Sequence, residues 1–222
     1  MACQRIVAHK KIPFFVGGTG LYLDSFFQGL NNIPEVNPKI RRDLEKELEK
    51  HGLDYLYKEL KRVDSVWADK ISSGDKQRTI RGLEVFRSTG HPLSSYYKEK
   101  KGLDSQRVLF LGLDEDREVL RIKIENRVDQ MLKQGFVEEV QSLRDRGYSS
   151  SLKSMKSIGY AELNSFLDKK ISLLEAVAKI KTATKRYAKR QRTWFRRNKN
   201  IIWYKKTDIK KLKERLNHWL AI

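Results

Sequence analysis

Between Glu175 and Asp208 the chain carries no acidic residue, and from Lys179 to Lys199 it carries ten cations: Lys179, Lys181, Lys185, Arg186, Lys189, Arg190, Arg192, Arg196, Arg197 and Lys199. Just ahead, Ser172 and Glu175 have the spacing of a capping box, in which each side chain satisfies a free amide at a helix start. The pattern predicts one long helix from Ser172 to about Arg197. Like charges one turn apart repel by about 0.2–0.5 kcal/mol per pair, so surface helices normally intersperse both signs. Ten unpaired cations must therefore face outward and be met by something outside the chain. Phosphates meet that need, with counterion release supplying the affinity. Tyr187, Trp194 and Phe195 lie in the same stretch. Rings among cations suit unpaired bases, which stack on aromatic side chains at about 1–3 kcal/mol each. The other reading makes the three rings core anchors and the cations a solvated outer face.

Composition favours a polyanionic partner. Lys and Arg total 47 against 28 acidic residues, a net charge of +19 over 222 residues, and an excess of that size and clustering points to a large polyanion. The one cysteine, Cys3, allows no internal disulfide. The histidines, His9, His51, His91 and His218, are scattered, so no structural zinc site is expected. No apolar run approaches the ~20 residues that span a bilayer, which predicts a soluble, cytoplasmic protein.

Other elements follow from local pattern. Ile12-Pro13-Phe14-Phe15-Val16 reads as a buried strand feeding a turn at Gly17-Gly18-Thr19-Gly20, with Met1 to Lys11 as a helix tail packed beside it and Leu21 to Leu30 as the next helix. Asn37-Pro38 starts a helix with Ile40, Leu44 and Leu48 on one face, interrupted at Gly52. Tyr55, Leu56 and Leu60 continue the apolar pattern. Asp75 opens a helix with Ile80, Leu83 and Phe86 inward, ending at Gly90. Arg107 to Leu113 reads as a strand. Asp114 to Arg146 reads as a helical pair broken near Gly135, with Leu120, Ile124, Val128, Met131 and Leu132 as its stripe. Ile201 to Tyr204 is a last strand and Ile209 to Leu220 a terminal helix.

Two shorter motifs carry chemistry. Gln77 and Arg81 are four apart on one helix face, where Gln offers a donor and an acceptor to a base edge and Arg a fork to phosphate; a solvated face with Asp75 as cap explains the same residues. Gly17-Gly18-Thr19-Gly20 would let backbone amides approach an anion at a helix start, or is a tight turn with no ligand. Neither a G-x-x-x-x-G-K-[ST] loop nor a dinucleotide fingerprint occurs in the chain.

Taken in order, Phe15-Val16-Gly17-Gly18-Thr19-Gly20-Leu21-Tyr22, the segment Asp75 to Val85 followed by Thr89-Gly90-His91-Pro92-Leu93-Ser94, the stretch Arg121 to Met131 with Gly135, Ile158-Gly159-Tyr160, and Tyr187 to Arg196 resemble the tRNA dimethylallyltransferases (tRNA isopentenyltransferases). The resemblance implies an α/β fold, with a P-loop-NTPase-like, nucleotide-binding core and an all-helical insertion. Residues 1–36 would belong to the core, 37–74 to the insertion, and 75–222 to the rest of the core and the tRNA-binding helices. It implies transfer of a dimethylallyl group from dimethylallyl pyrophosphate, with Mg2+, to the exocyclic amine of the adenosine 3′ of the anticodon. That base would be flipped into a channel. It implies a monomer that meets a tRNA anticodon stem-loop. By position, Thr19 would line the channel. Arg41 would reach the tRNA from the insertion. Gln77, Arg78, Thr79, Ile80 and Arg81 would hold the anticodon loop, with Lys189, Arg190, Gln191, Arg192, Thr193 and Trp194 as the second tRNA-contacting stretch and Lys156 near the pyrophosphate. The family's G-P-T-x-x-G-K-[ST] loop and D-S-x-Q segment have no counterpart here. The resemblance thus implies an incomplete core that starts within the sheet, no catalytic residue in this chain, and no transfer by it alone. A non-catalytic tRNA- or RNA-binding module is the alternative.

Overall fold

The computed structural model describes residues 2–29, 31–97 and 108–221. Met1, Leu30 and Arg107, which end three of the expected elements, lie outside the described residues. In chain order the helices are α1 (Ala2–Ala8), α2 (Gly20–Gln28), α3 (Pro38–His51), α4 (Leu53–Val63), α5 (Ser65–Ala68), α6 (Lys76–Thr89), α7 (Arg117–Lys133), α8 (Phe136–Asp145), α9 (Tyr160–Leu167), α10 (Leu173–Phe195) and α11 (Ile209–Leu220). The strands are β1 (Leu111–Leu113) and β2 (Ile202–Tyr204). The chain divides into two compact units, residues 1–20 with 104–222, and residues 21–103.

In the second unit, Asn37 caps α3 by accepting from Lys39 N at 2.9 Å, with Pro38 in the first position where no amide is required. Gly52, at φ 81°, ends α3 and turns the chain into α4, a backbone state that only glycine adopts without strain. Leu44, Leu56, Leu60, Ala68, Ile80 and Leu83 form the core, with Ile40, Leu48, Tyr57, Val63, Trp67 and Ile71 around it. The helical set expected over 37–74 thus shares its core with α6. Gly82 permits the close approach, since a Cβ there would stand 2.6 Å from Leu60 Cδ1. Arg87 on α6 braces three helices, donating to both Glu47 oxygens on α3 at 2.6 and 2.8 Å and to Glu59 on α4 at 2.8 and 2.9 Å. Tyr55 was read as continuing the apolar pattern with Leu56 and Leu60, but it is exposed and lies against His51, ring centroids 4.8 Å apart. Leu56, Tyr57, Leu60 and Val63 hold the 3–4 spacing of the inner stripe, and Tyr55 falls off it.

In the first unit, Gly135 at φ 91° separates α7 from α8 as expected. Val128, Phe136, Val140, Met155, Leu163, Ala176 and Ile180 form the core, drawing α7 to α10 together. The Ser172–Glu175 box opens α10, with Glu175 N donating to Ser172 Oγ at 3.2 Å and Ser172 N to the Glu175 carboxylate at 2.8 Å. The sheet is parallel, β1 beside β2 in the register Leu111↔Ile202, Gly112↔Trp203, Leu113↔Tyr204. Parallel neighbours require a long crossover, which the helices between them supply.

Two expectations fail here. Ile12-Pro13-Phe14-Phe15-Val16 is not a strand, and Phe14 and Val16 are 79% and 83% exposed. A strand exists through its ladder; among the described residues β1 and β2 pair only with each other, and Pro13 has no amide to donate. α1 forms where expected, but none of its residues is buried, so it has no strand to pack beside. The fold is helix-rich with a small parallel sheet.

Candidate nucleic-acid interface

The cationic helix α10 is two-faced. Lys181 pairs with Asp129 at 2.6 Å and Lys185 with Glu125, both acids on α7. Arg192 and Arg196 share one oxygen of Asp114, at 3.0 and 3.1 Å, directly after β1. Residues 181, 185, 192 and 196 are spaced 4, 7 and 4 apart, which places them on one face. Four of the ten cations are thus paired from within, by three acids, correcting the expectation that all were unpaired. The Lys185 hydrogen bond holds the Glu125 carboxyl below its ordinary value of 4.5 despite the opposing effect of desolvation. Lys179, Arg186, Lys189, Arg190, Arg197 and Lys199 are exposed and form no ion pair among the described residues. The Arg190 guanidinium lies 5.7 Å from the Tyr187 ring centroid and that of Arg197 5.6 Å from the Trp194 ring.

The glycine turn meets this helix. Gln191 Nε2 donates to the Gly18 carbonyl at 2.8 Å. Gly20 is buried against Trp194, so closely that a Cβ would overlap the indole. Thr19, between these two contacts, keeps its side chain exposed. The three rings therefore differ. Trp194 anchors the turn, Phe195 is half-buried, and Tyr187 faces solvent beside Arg190. Thr193 is exposed, its hydroxyl donating to Lys189 O at 3.0 Å. Lys156 is exposed at the end of a short 3-10 turn whose Met155 is buried in the core.

The second unit carries another basic patch. Asp75 caps α6, accepting from Arg78 N at 3.0 Å and pairing with the Arg78 guanidinium. Gln77 and Arg78 are exposed. Glu84, only 5% exposed, takes Arg81 on one carboxylate oxygen and Arg41 on the other, each at 3.3 Å. One buried acid on α6 thus joins Arg41 and Arg81, which are far apart in sequence. Thr79 and Ile80 were grouped with the tRNA contacts, but they are 0% and 1% exposed. They lie on the inner face of α6 with Leu83, so their side chains do not reach the surface.

Sequence reasoning missed a pair of rings here. Trp67 and Tyr97 stack with centroids 5.3 Å apart and planes 18° from parallel. Asp64, 3% exposed, holds both: one carboxylate oxygen accepts from Trp67 N at 3.0 Å and the other from Ser94 N at 2.8 Å, in the 3-10 turn (Leu93–Tyr96) that leads to Tyr97. Trp67 Nε1 donates to Arg78 O at 3.2 Å. Burial pushes the Tyr97 phenol above its ordinary value of 10.0, and Arg81 and Arg78 oppose the shift by attracting the phenolate. The cap at Asp64 was legible as Asp-Ser before a short helix. The ring pair, thirty residues apart, leaves no local pattern.

No group of three or more His, Cys, Asp or Glu among the described residues could hold a metal ion. No helix among the described residues is long and apolar enough to cross a membrane.

The IPP transferase family model matches residues 1–198. The chain is 43% identical over 211 residues to the tRNA dimethylallyltransferase of Natranaerobius thermophilus, covering 94% of this chain and 63% of that protein. It is 46% identical over 203 residues to that of Geobacter metallireducens, covering 91% and 66%. The chain thus spans just under two thirds of these two relatives. Its fold is similar to the full-length tRNA isopentenylpyrophosphate transferase of Bacillus halodurans, with TM-score 0.64, 31% identity and coverage of 99% of this chain and 70% of that one. It is also similar to a eukaryotic dimethylallyltransferase solved acting on tRNA, with TM-score 0.66, 30% identity and coverage of 94% and 55%.

Proposed function

The chain belongs to the IPP transferase family, and on that premise we propose that it takes part in tRNA modification. The reaction is transfer of a dimethylallyl group from dimethylallyl pyrophosphate to the exocyclic amine of the adenosine 3′ of the anticodon. The role of this chain is to grip the anticodon stem-loop. Lys189, Arg190 and Thr193 meet the RNA on α10, Thr19 borders the channel for the extruded base, and Gln77, Arg78, Arg81 and Arg41 hold the loop from the helical unit. Arg192, Gln191 and Trp194 work one step back. Arg192 is tied to Asp114, and the other two fix the glycine turn. Thr79 and Ile80 hold α6 in its core. Lys156 faces the pyrophosphate. The parallel pair β1–β2 belongs to a P-loop-like core, and the protein acts as a cytoplasmic monomer, where tRNA is met.

One observation carries this reading: α10 turns its unpaired cations to solvent while Lys181, Lys185 and Arg192 pair inward and Gln191 and Trp194 fasten the glycine turn. A helix whose charge served only solubility would have no reason to segregate its cations in that way. The sequence contains no G-x-x-x-x-G-K-[ST] loop, so binding rather than turnover is the direct readout. An anticodon stem-loop should bind more tightly than a blunt RNA duplex of equal length, with a steep salt dependence, and Arg190→Ala and Gln77→Ala should each weaken it. Equal affinity for both RNAs, or tight binding that ignores both substitutions, defeats the reading.

A further inference from the structure

The ring pair Trp67–Tyr97 is not needed for the contacts assigned above, yet it is built with care. Asp64 spends both carboxylate oxygens on backbone amides that seat the two rings, one at the start of α5 and one in the turn before Tyr97. A buried acid satisfied by two backbone donors fixes the loops that carry those donors. The indole is fixed a third time by its bond to Arg78 O. α5 is held in turn by Tyr57, whose hydroxyl donates to Ala68 O at 3.1 Å. Trp67 also abuts α6, since a Cβ on Gly82 would stand 3.0 Å from its Cδ1.

Tyr97 is the outer member. One face lies on Trp67, and 41% of the residue remains exposed. A tyrosine whose role was core packing would be covered. Arginines border it: Arg78 and Arg81 both act on the phenol, and although each is paired to a carboxylate, Asp75 and Glu84, their side chains are 57% and 41% exposed. A prearranged flat ring beside exposed guanidinium groups matches a planar aromatic ligand that carries negative charge next to its ring. An unpaired nucleotide has that form: the base stacks and the phosphate takes the arginine.

We propose that Tyr97, backed by Trp67, is a stacking platform for one unpaired nucleobase of the bound RNA loop, with Arg78 and Arg81 on the adjoining phosphate. The proposal rests on the tRNA-binding reading and adds a recognition site in the helical unit. Trp67 and Asp64 are positioning residues, and Tyr97 is the contact. A duplex, whose bases are already stacked, gains nothing from such a platform, so the site favours looped over paired RNA.

The test is affinity of the full chain for an RNA hairpin with an anticodon-type loop, and for a blunt duplex of equal length, over a range of salt. Tyr97→Phe keeps the ring and should bind as the parent does. Tyr97→Leu keeps an apolar contact on Trp67 but loses the π face. It should lose about 5- to 150-fold in hairpin affinity, leave duplex affinity unchanged, and leave the salt slope unchanged because no phosphate contact is removed. Arg81→Ala should instead reduce that slope. Loss of affinity in Tyr97→Leu confined to the hairpin, with Tyr97→Phe unaffected, supports the platform. Parental hairpin affinity in Tyr97→Leu overturns it and leaves the tRNA reading standing, as does an equal loss on hairpin and duplex. A parent chain that binds the two RNAs equally overturns both.

Discussion

The division of α10 into a paired and an unpaired face can be measured as a change in salt dependence. Lys189 and Arg190 are exposed and form no ion pair among the described residues; Lys181 and Lys185 are held by Asp129 and Glu125. Each phosphate contact contributes about 0.7 (single strand) to 0.9 (duplex) to the slope of log affinity against log salt. Replacing Lys189 and Arg190 by Ala should therefore flatten the slope by about 1.4–1.8, and affinity should fall about 7- to 12-fold less steeply between 50 and 200 mM salt. The pair Lys181→Ala and Lys185→Ala removes the same formal charge. Its effect should appear in stability instead, at about 0.2–1 kcal/mol per partly exposed ion pair, with the slope kept. Fluorescence anisotropy of a labelled stem-loop at four or five salt concentrations, with a thermal melt of each variant, reads both quantities. If the two pairs flatten the slope equally, the charge acts as an undifferentiated cloud and the two-faced helix has no functional meaning.

Three further outcomes follow from the geometry. Gly20→Ala drives a methyl into the Trp194 indole, and overpacking of that kind costs about 1–3 kcal/mol. The variant should melt earlier and bind RNA less well, whereas Gly17→Ala, with open space around it, should do neither. Arg87→Ala leaves the carboxylates of Glu47 and Glu59 facing each other across α3 and α4; after a discount for solvent screening the cost should be about 1–2 kcal/mol by urea denaturation. The Arg87 hydrogen bond holds the Glu47 carboxyl below its ordinary 4.5, so the stability it contributes is fully present above that value and is lost as pH falls through the lower folded value. Acid titration should show that loss in the parent and not in Arg87→Ala. Asp75→Ala removes the cap of α6 and should cost about 1 kcal/mol in the same melts.

Local chemistry was legible, and long-range pairing was not. The caps at Asn37, Asp75 and Ser172, the break at Gly135 and the terminal helix over Ile209–Leu220 were read from neighbouring residues and stand in the structure. Each is decided within one helical turn. The exposed segment at Ile12 to Val16 was misread because an apolar run states a preference for burial and not the identity of a strand partner. The site divides in the same way. Gln77 and Arg81 share a face by spacing alone, whereas the carboxylate that joins Arg81 to Arg41 is fixed only once α3 packs on α6. Thr79 and Ile80 sit in the motif beside functional neighbours, yet helical rotation turns them inward.

A net charge of +19 does not mean nineteen contacts with RNA. Along α10 and the residues just after it, three acids, two on α7 and Asp114 after β1, pair with four of the ten cations, and those four help to hold the helix in place. Six remain, which sets a ceiling of about 4–5 on the salt slope that this stretch can produce. The helical unit treats its arginines differently. Glu84 binds both Arg41 and Arg81, and Glu45 takes Arg41 a second time, so carboxylates fix the geometry of the cluster. A guanidinium held by one carboxylate oxygen retains donors for a phosphate. Glu84→Gln should therefore keep some hydrogen bonding while releasing the charge attraction. RNA affinity that rises through added net charge would mean that Glu84 only subtracts from the field; affinity that falls would mean that the fixed geometry matters more than the count.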